Sequence, residues 1–97
     1  MNELDKIREG IETHRKELQE RFAVKKIGVF GSVAKGLDGL SSDLDLLVEF
    51  EKPIGLFRFE ALRLFLEDCF KKKVDLVTSR ALKPLVRDEI MGSVVYI

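Results

Sequence analysis

Between Leu44 and Val77 the chain follows an order that leaves few folds open to it. Leu44 to Phe50 reads as a strand, because acidic and apolar side chains alternate from Asp43 onward. After the punctuation of Pro53 and Gly55, the apolar run Leu56 to Phe70 is too long for a strand and carries Leu, Phe and Ala at helical intervals. We read it as a buried helix. Val74 to Val77 then forms another short strand. Two strands joined by a helical crossover of this length normally lie side by side and parallel in one sheet. Their starting ends therefore share an edge. Asp43 and Asp45 stand at the start of one strand and Asp75 at the start of the other, so three carboxylates converge there. A strand's period of two also puts Asp43 and Asp45 on the same face.

The remaining segments are expected to wrap this unit. Leu4, Ile7, Ile11, Leu18 and Phe22 recur at helical spacing among charged residues, which predicts an amphipathic helix over residues 1–22 lying on a core. His14, the only histidine, falls within it beside Arg15 and Lys16 and reads as a rim residue. Lys26 to Phe30 predicts a buried strand, followed by a Gly- and Ser-rich connection too long for a hairpin. Lys71 to Lys73 complement the negative pole of the preceding helix as a solvated cap. Leu82, Leu85, Val86 and Ile90 suggest a last helix stopped by Gly92, and Val94 to Ile97 form a strand-like tail that completes the sheet or packs beneath it. At 97 residues one domain is expected, with a core over 24–90 and the apolar tail over 91–97.

Composition narrows the partners. Lys plus Arg and Asp plus Glu balance at 17 each, which removes the bulk attraction to phosphate backbones and disfavours direct nucleic-acid binding. The lone Cys69 lies in the apolar helical run and reads as a structural thiol. No apolar run approaches the about 20 residues that span a bilayer, and the amino terminus is charged rather than signal-like, so a soluble cytoplasmic protein is expected.

Gly31 and Ser32 fall where the strand ending at Phe30 gives way to a turn, leaving backbone N–H groups free to meet an anion. Gly31 lets main chain approach a phosphate, the Ser32 hydroxyl can add a hydrogen bond, and Lys35 is the nearest cation. Side-by-side carboxylates repel each other, and a divalent cation relieves the repulsion. Turn and acids together suggest metal-dependent handling of a nucleoside triphosphate, with Asp43 and Asp45 holding magnesium and Asp75 binding a second ion or taking the proton of the attacking hydroxyl. A phosphate-binding loop of the ATPase kind is absent, since GSVAKG lacks both the glycine spacing and the Lys-Ser/Thr pair. A calcium loop is excluded by Leu44, Leu46 and Leu47, which make the acidic segment a strand.

Gly31-Ser32, Ser42-Asp43-Leu-Asp45-Leu-Leu-Val48 and Val74-Asp75-Leu-Val77 resemble the signature elements of the DNA polymerase beta-type nucleotidyltransferases in their minimal form. The resemblance spans about residues 24–90. It implies an α/β core with a small mixed sheet flanked by helices, two magnesium ions, and transfer of a nucleoside monophosphate to a hydroxyl. By it Gly31 and Ser32 are the phosphate-binding pair, Asp43 and Asp45 the metal ligands, and Asp75 the third carboxylate. Val33 and Lys35 depart from the arginines that many minimal members carry in this turn. Members of this size are similar to the antitoxin of a toxin–antitoxin pair whose toxin is a HEPN-type ribonuclease. This implies a hetero-oligomer in which the toxin receives AMP from ATP on a tyrosine.

Two other readings fit the chain. One is an antitoxin without catalysis that occludes its partner through apolar surface such as the Val94 to Ile97 tail. The other is nucleotidyl transfer to a small molecule, for which 97 residues leave no room for the usual acceptor domain.

Overall fold

The computed structural model describes residues 3–34 and 43–97. The chain begins with helices α1 (Glu3–Thr13) and α2 (Arg15–Phe22), followed by strand β1 (Val24–Phe30) and one helical turn, α3 (Gly31–Ala34). Strand β2 (Leu44–Phe50), helix α4 (Gly55–Phe70) and strand β3 (Val74–Thr78) form the crossover. A 3-10 turn at Ser79–Ala81, helix α5 (Pro84–Ser93) and strand β4 (Val95–Tyr96) finish it. The strands form one mixed sheet in the order β3-β2-β1-β4, with β2 parallel to β3 and β1 antiparallel to both β2 and β4.

One face of that sheet is the core. Ile27 and Val29 of β1, Leu44, Leu46 and Val48 of β2, and Val74 and Leu76 of β3 alternate onto it. Ile7 and Ile11 of α1, Leu18 and Phe22 of α2, and Leu62 and Leu66 of α4 cover them. Directly paired residues share a face, so the register Phe30↔Asp45 and Asp45↔Asp75 places both aspartates on the opposite side of the sheet from this apolar layer.

Three sequence expectations change. The amino-terminal helix is two helices, because His14 leaves helical geometry at φ −106° and ψ 11°. Its N–H is shared between the carbonyls of Gly10 and Ile11, so the chain bends while Ile7, Ile11, Leu18 and Phe22 all still reach the core. The expected buried helix is α4, but only Leu62 and Leu66 are buried in it, while Leu56 and Phe57 are 81% and 94% exposed. A helix lying on a sheet covers it with one stripe, and the apolar residues on its other sides remain outside. In the lysine run Lys71 and Lys73 are exposed, Lys71 pairing with Asp68 at 3.1 Å. Lys72 instead meets Glu3 of α1 at 3.4 Å in a half-buried pair.

The carboxyl-terminal tail completes the sheet. Val95 and Tyr96 pair with Val29 and Gly28, and the Ile97 N–H donates to the Ile27 carbonyl at 2.9 Å. α5 runs through Gly92 and ends one residue later at Ser93.

The division of α4 into a packed stripe and an exposed one is measurable by urea denaturation. Leu66→Ala should cost about 2–5 kcal/mol, as removal of a buried leucine does. Phe57→Ala should stay within about 0.5 kcal/mol of wild type, as changes at exposed positions do.

Candidate active site

Asp45 lies on β2 between Phe30 of β1 and Asp75 of β3, its partners on the two neighbouring strands. Asp75 is the second residue of an edge strand and is exposed, and Asp43 is exposed one residue before β2 begins. The crossover thus brings the acids to one sheet edge, as the strand–helix–strand order predicts. Asp45 is the half-buried member. Its carboxyl is pushed above the usual aspartate range, first by burial and then by the negative charges of Asp75 and Asp43.

Gly31 is built into this arrangement. It follows β1 directly, has φ +74°, and a Cβ placed on it would run into Asp45 Oδ2. The Asp45 carboxylate therefore occupies the space where any other residue would put its first side-chain carbon. Glycine is needed here both for the left-handed backbone and for that contact. The chain enters α3 at Gly31, and Val33, 2% exposed, pins this single turn into the core beneath. Val33, one of the two departures from the usual arginines, is thus an anchor. Ser32 contributes backbone to α3, its side chain falling outside what is described, and Lys35 lies outside the described residues.

Two main-chain links hold the acidic edge together, and neither is legible in the sequence. The Leu44 N–H, between Asp43 and Asp45, donates to the Lys73 carbonyl at 2.8 Å. The Val74 N–H, next to Asp75, donates to Glu67 Oε2 at 2.9 Å. Glu67 also accepts from Arg63 Nη1 at 2.8 Å, and the four-residue spacing of that pair on a helical stretch is the one available signal.

The donor chemistry suits a divalent cation: carboxylates are hard oxygen ligands, and the neighbours that raise Asp45 carry the negative charge such an ion would take up. Among the described residues no three acidic, His or Cys side chains are already closed into a cage. His14 takes no part, its ring packing edge-on against Phe65 at 5.4 Å. The Cys69 thiol is partly buried and pushed up, chiefly by burial. A cleft of about 380 Å3 lies away from the acids, lined at the far ends of β2 and β3 by Glu49, Phe50, Thr78 and Arg80 and by Lys25.

The family model for the nucleotidyltransferase domain matches residues 11–97. The protein adenylyltransferase MntA of Thermococcus cleftensis is 40% identical, over 97% of this chain and 95% of that protein. A solved structure provisionally described as a minimal nucleotidyltransferase superposes with a TM-score of 0.81 at 36% identity, covering 98% of this chain and 95% of that one. The fold also matches a Shewanella oneidensis complex of a tri-AMPylated HEPN toxin with an MNT antitoxin, at a TM-score of 0.67 and 18% identity over 93% and 70% of the two chains. Among the described residues no helix is long and apolar enough to cross a membrane.

The Gly31 contact predicts a difference between two glycines of nearly equal φ. Gly55 has φ +75° and open space where a methyl group would go, so Gly55→Ala should cost only the backbone penalty of about 1–2 kcal/mol. Gly31→Ala should cost clearly more in the same urea experiment, because Asp45 must move as well. Asp45 itself gives a pH signature. Its folded pKa is raised, so its contribution is fully present below the ordinary aspartate pKa and is lost as pH rises through the raised value. The stability of wild type relative to Asp45→Asn should fall across that window in paired denaturation curves, and a flat difference would contradict the placement of Asp45.

Proposed function

We propose, because this chain belongs to the nucleotidyltransferase domain family, that it moves AMP from ATP onto a tyrosine hydroxyl of a partner HEPN-type toxin and so acts as its antitoxin. The observation that carries this reading is Asp45, in register with Asp75 and seated against the α-carbon of Gly31. Two of the three acids and the Gly31 turn meet there, which supports reading them as the family's metal-holding and phosphate-binding groups. The name of the Thermococcus cleftensis relative supports a protein acceptor, and the AMP-carrying toxin of the Shewanella oneidensis complex supports the partner. We take all 97 residues as one catalytic domain working in the cytoplasm within a hetero-oligomer.

Asp43, Asp45 and Asp75 would hold magnesium, two ions in this reading, which when bound offsets triphosphate charge and lowers the pKa of the attacking hydroxyl. The chain's own groups do the rest. The N–H groups of the Gly31–Ala34 turn, with Ser32 and Lys35, bind the phosphates and orient the α-phosphorus toward the acids. Asp75, the exposed carboxylate of the edge strand, receives the proton of the acceptor hydroxyl. The acceptor oxygen bonds to the α-phosphorus, the bond from that phosphorus to the bridging oxygen breaks, and pyrophosphate leaves.

Occlusion without catalysis has a specific observation in its favour: Leu56, Phe57 and Leu85 are each more than four-fifths exposed. The tail cannot serve it freely, being engaged as β4. Transfer to a small molecule is the weaker reading, since the name of the Thermococcus cleftensis relative points to a protein acceptor.

Incubating the protein with magnesium and α-labelled ATP in extract of its native host tests the proposal. Wild type should label one discrete protein band, and Asp43→Asn/Asp45→Asn should label it at least about a hundredfold less, since metal assistance is worth several kcal/mol of transition-state stabilisation. An unlabelled partner that still co-purifies with both proteins, and is still neutralised by the double variant, would favour occlusion.

A further inference from the structure

The peptide unit between Lys73 and Val74 is gripped on both of its polar groups. Its carbonyl accepts from the Leu44 N–H at 2.8 Å, and its N–H donates to Glu67 Oε2 at 2.9 Å. Leu44 sits between Asp43 and Asp45, and Val74 immediately precedes Asp75. This one peptide plane therefore joins the two halves of the acidic edge, and rotating it would turn the start of β3 and carry Asp75 with it. Among the described residues β3 is an edge strand, with no further strand on its outer side to fix that rotation. The carboxylate supplied by α4 does so instead.

Glu67 is itself held in place. Arg63, one turn earlier on α4, donates to it at 2.8 Å and is anchored by Glu60, which accepts from Arg63 Nε at 3.0 Å and also pairs with Nη2. Glu67 and Arg63 are each about a quarter exposed, 25% and 28%, less open to water than the other ion pairs along α4. A charged acceptor on the N–H side of a peptide also polarises its carbonyl, which strengthens the bond from Leu44 on the other side.

We propose that Glu67 is the positioning residue of the acidic edge: through the Lys73–Val74 peptide it sets Asp75 against Asp45, and Arg63 orients it for that purpose. The inference rests on the reading of Asp43, Asp45 and Asp75 as the ion-holding acids. Glu67 touches neither nucleotide nor acceptor. Its effect reaches the site through one peptide unit.

The test uses the full chain with Glu67→Ala, Glu67→Gln and Asp45→Asn, and manganese(II) as the probe, followed by water-proton relaxation. Exchange of the Leu44 and Val74 amides is measured on the same samples by NMR. Glu67→Ala should bind manganese about tenfold more weakly than wild type, in the range that loss of a residue supporting a metal ligand costs. Its Leu44 and Val74 amides should exchange faster while those of Val29 and Val48, deep in the sheet, do not. Glu67→Gln keeps an oxygen acceptor for the Val74 N–H and should recover most of the affinity, which a residue needed only for its charge or for general stability would not. Wild-type manganese affinity in Glu67→Ala, alongside weak binding by Asp45→Asn, would overturn the positioning role and leave the acids intact. Equal binding by wild type and Asp45→Asn would remove the acids' role and the inference with it, a failure visible in the control before Glu67 is considered.

Discussion

Two like charges side by side at the end of a sheet are unfavourable, and the rest of this structure is arranged to hold them there. Asp45 and Asp75 are direct partners in the parallel pairing of β2 with β3. Burial and the neighbouring acids raise the Asp45 carboxyl, so the fold gives up stability at neutral pH to keep it in place. Such a cost is tolerated where surrounding packing determines the backbone more strongly than local repulsion can disturb it. Here Leu44 and Leu46 flank Asp45 and are wholly buried, as Val74 and Leu76 flank Asp75 and are nearly so. Each aspartate is the outward step of a strand whose inward steps are locked into the core.

The helical layer explains why that lock works with so short a chain. α1, α2 and α4 all contribute to one core layer behind β1, β2 and β3, while on the acid-bearing side Leu47, two residues beyond Asp45, is also wholly buried. α4 has a second task as the crossover that makes β2 and β3 parallel, and its last turns supply Glu67 to the first residue of β3. The one-turn α3 is held from beneath by Val33 and from above by the contact of Gly31 with Asp45. Turn and acids are thereby positioned by each other as well as by the core.

What could be read in advance was whatever follows from local periodicity and chain connectivity. Alternation from Leu44 to Val48 fixed Asp45 on the face away from the buried Leu44, Leu46 and Val48, and a helix-length crossover fixed the parallel pairing that sets Asp45 beside Asp75. The bend at His14 was not legible, because the apolar spacing of Ile7, Ile11, Leu18 and Phe22 continues across it unchanged. The exposure of Leu56 and Phe57 was not legible either, since an apolar helix reads the same whether a neighbour covers one side or all of them. Links between residues distant in sequence stayed hidden, such as Lys72 with Glu3 across 69 positions. So did the seat of Asp45 on Gly31, which requires the antiparallel register of β1 and β2.

A crystal structure of the protein soaked with manganese(II) and a non-hydrolysable ATP analogue, with anomalous scattering recorded for the metal, tests the central claim most directly. The account predicts an anomalous peak in contact with Asp43 and Asp45, with the triphosphate lying over the Gly31–Ala34 turn. Nucleotide bound instead in the cleft beside Lys25 and Arg80, with no metal at the aspartates, would contradict it.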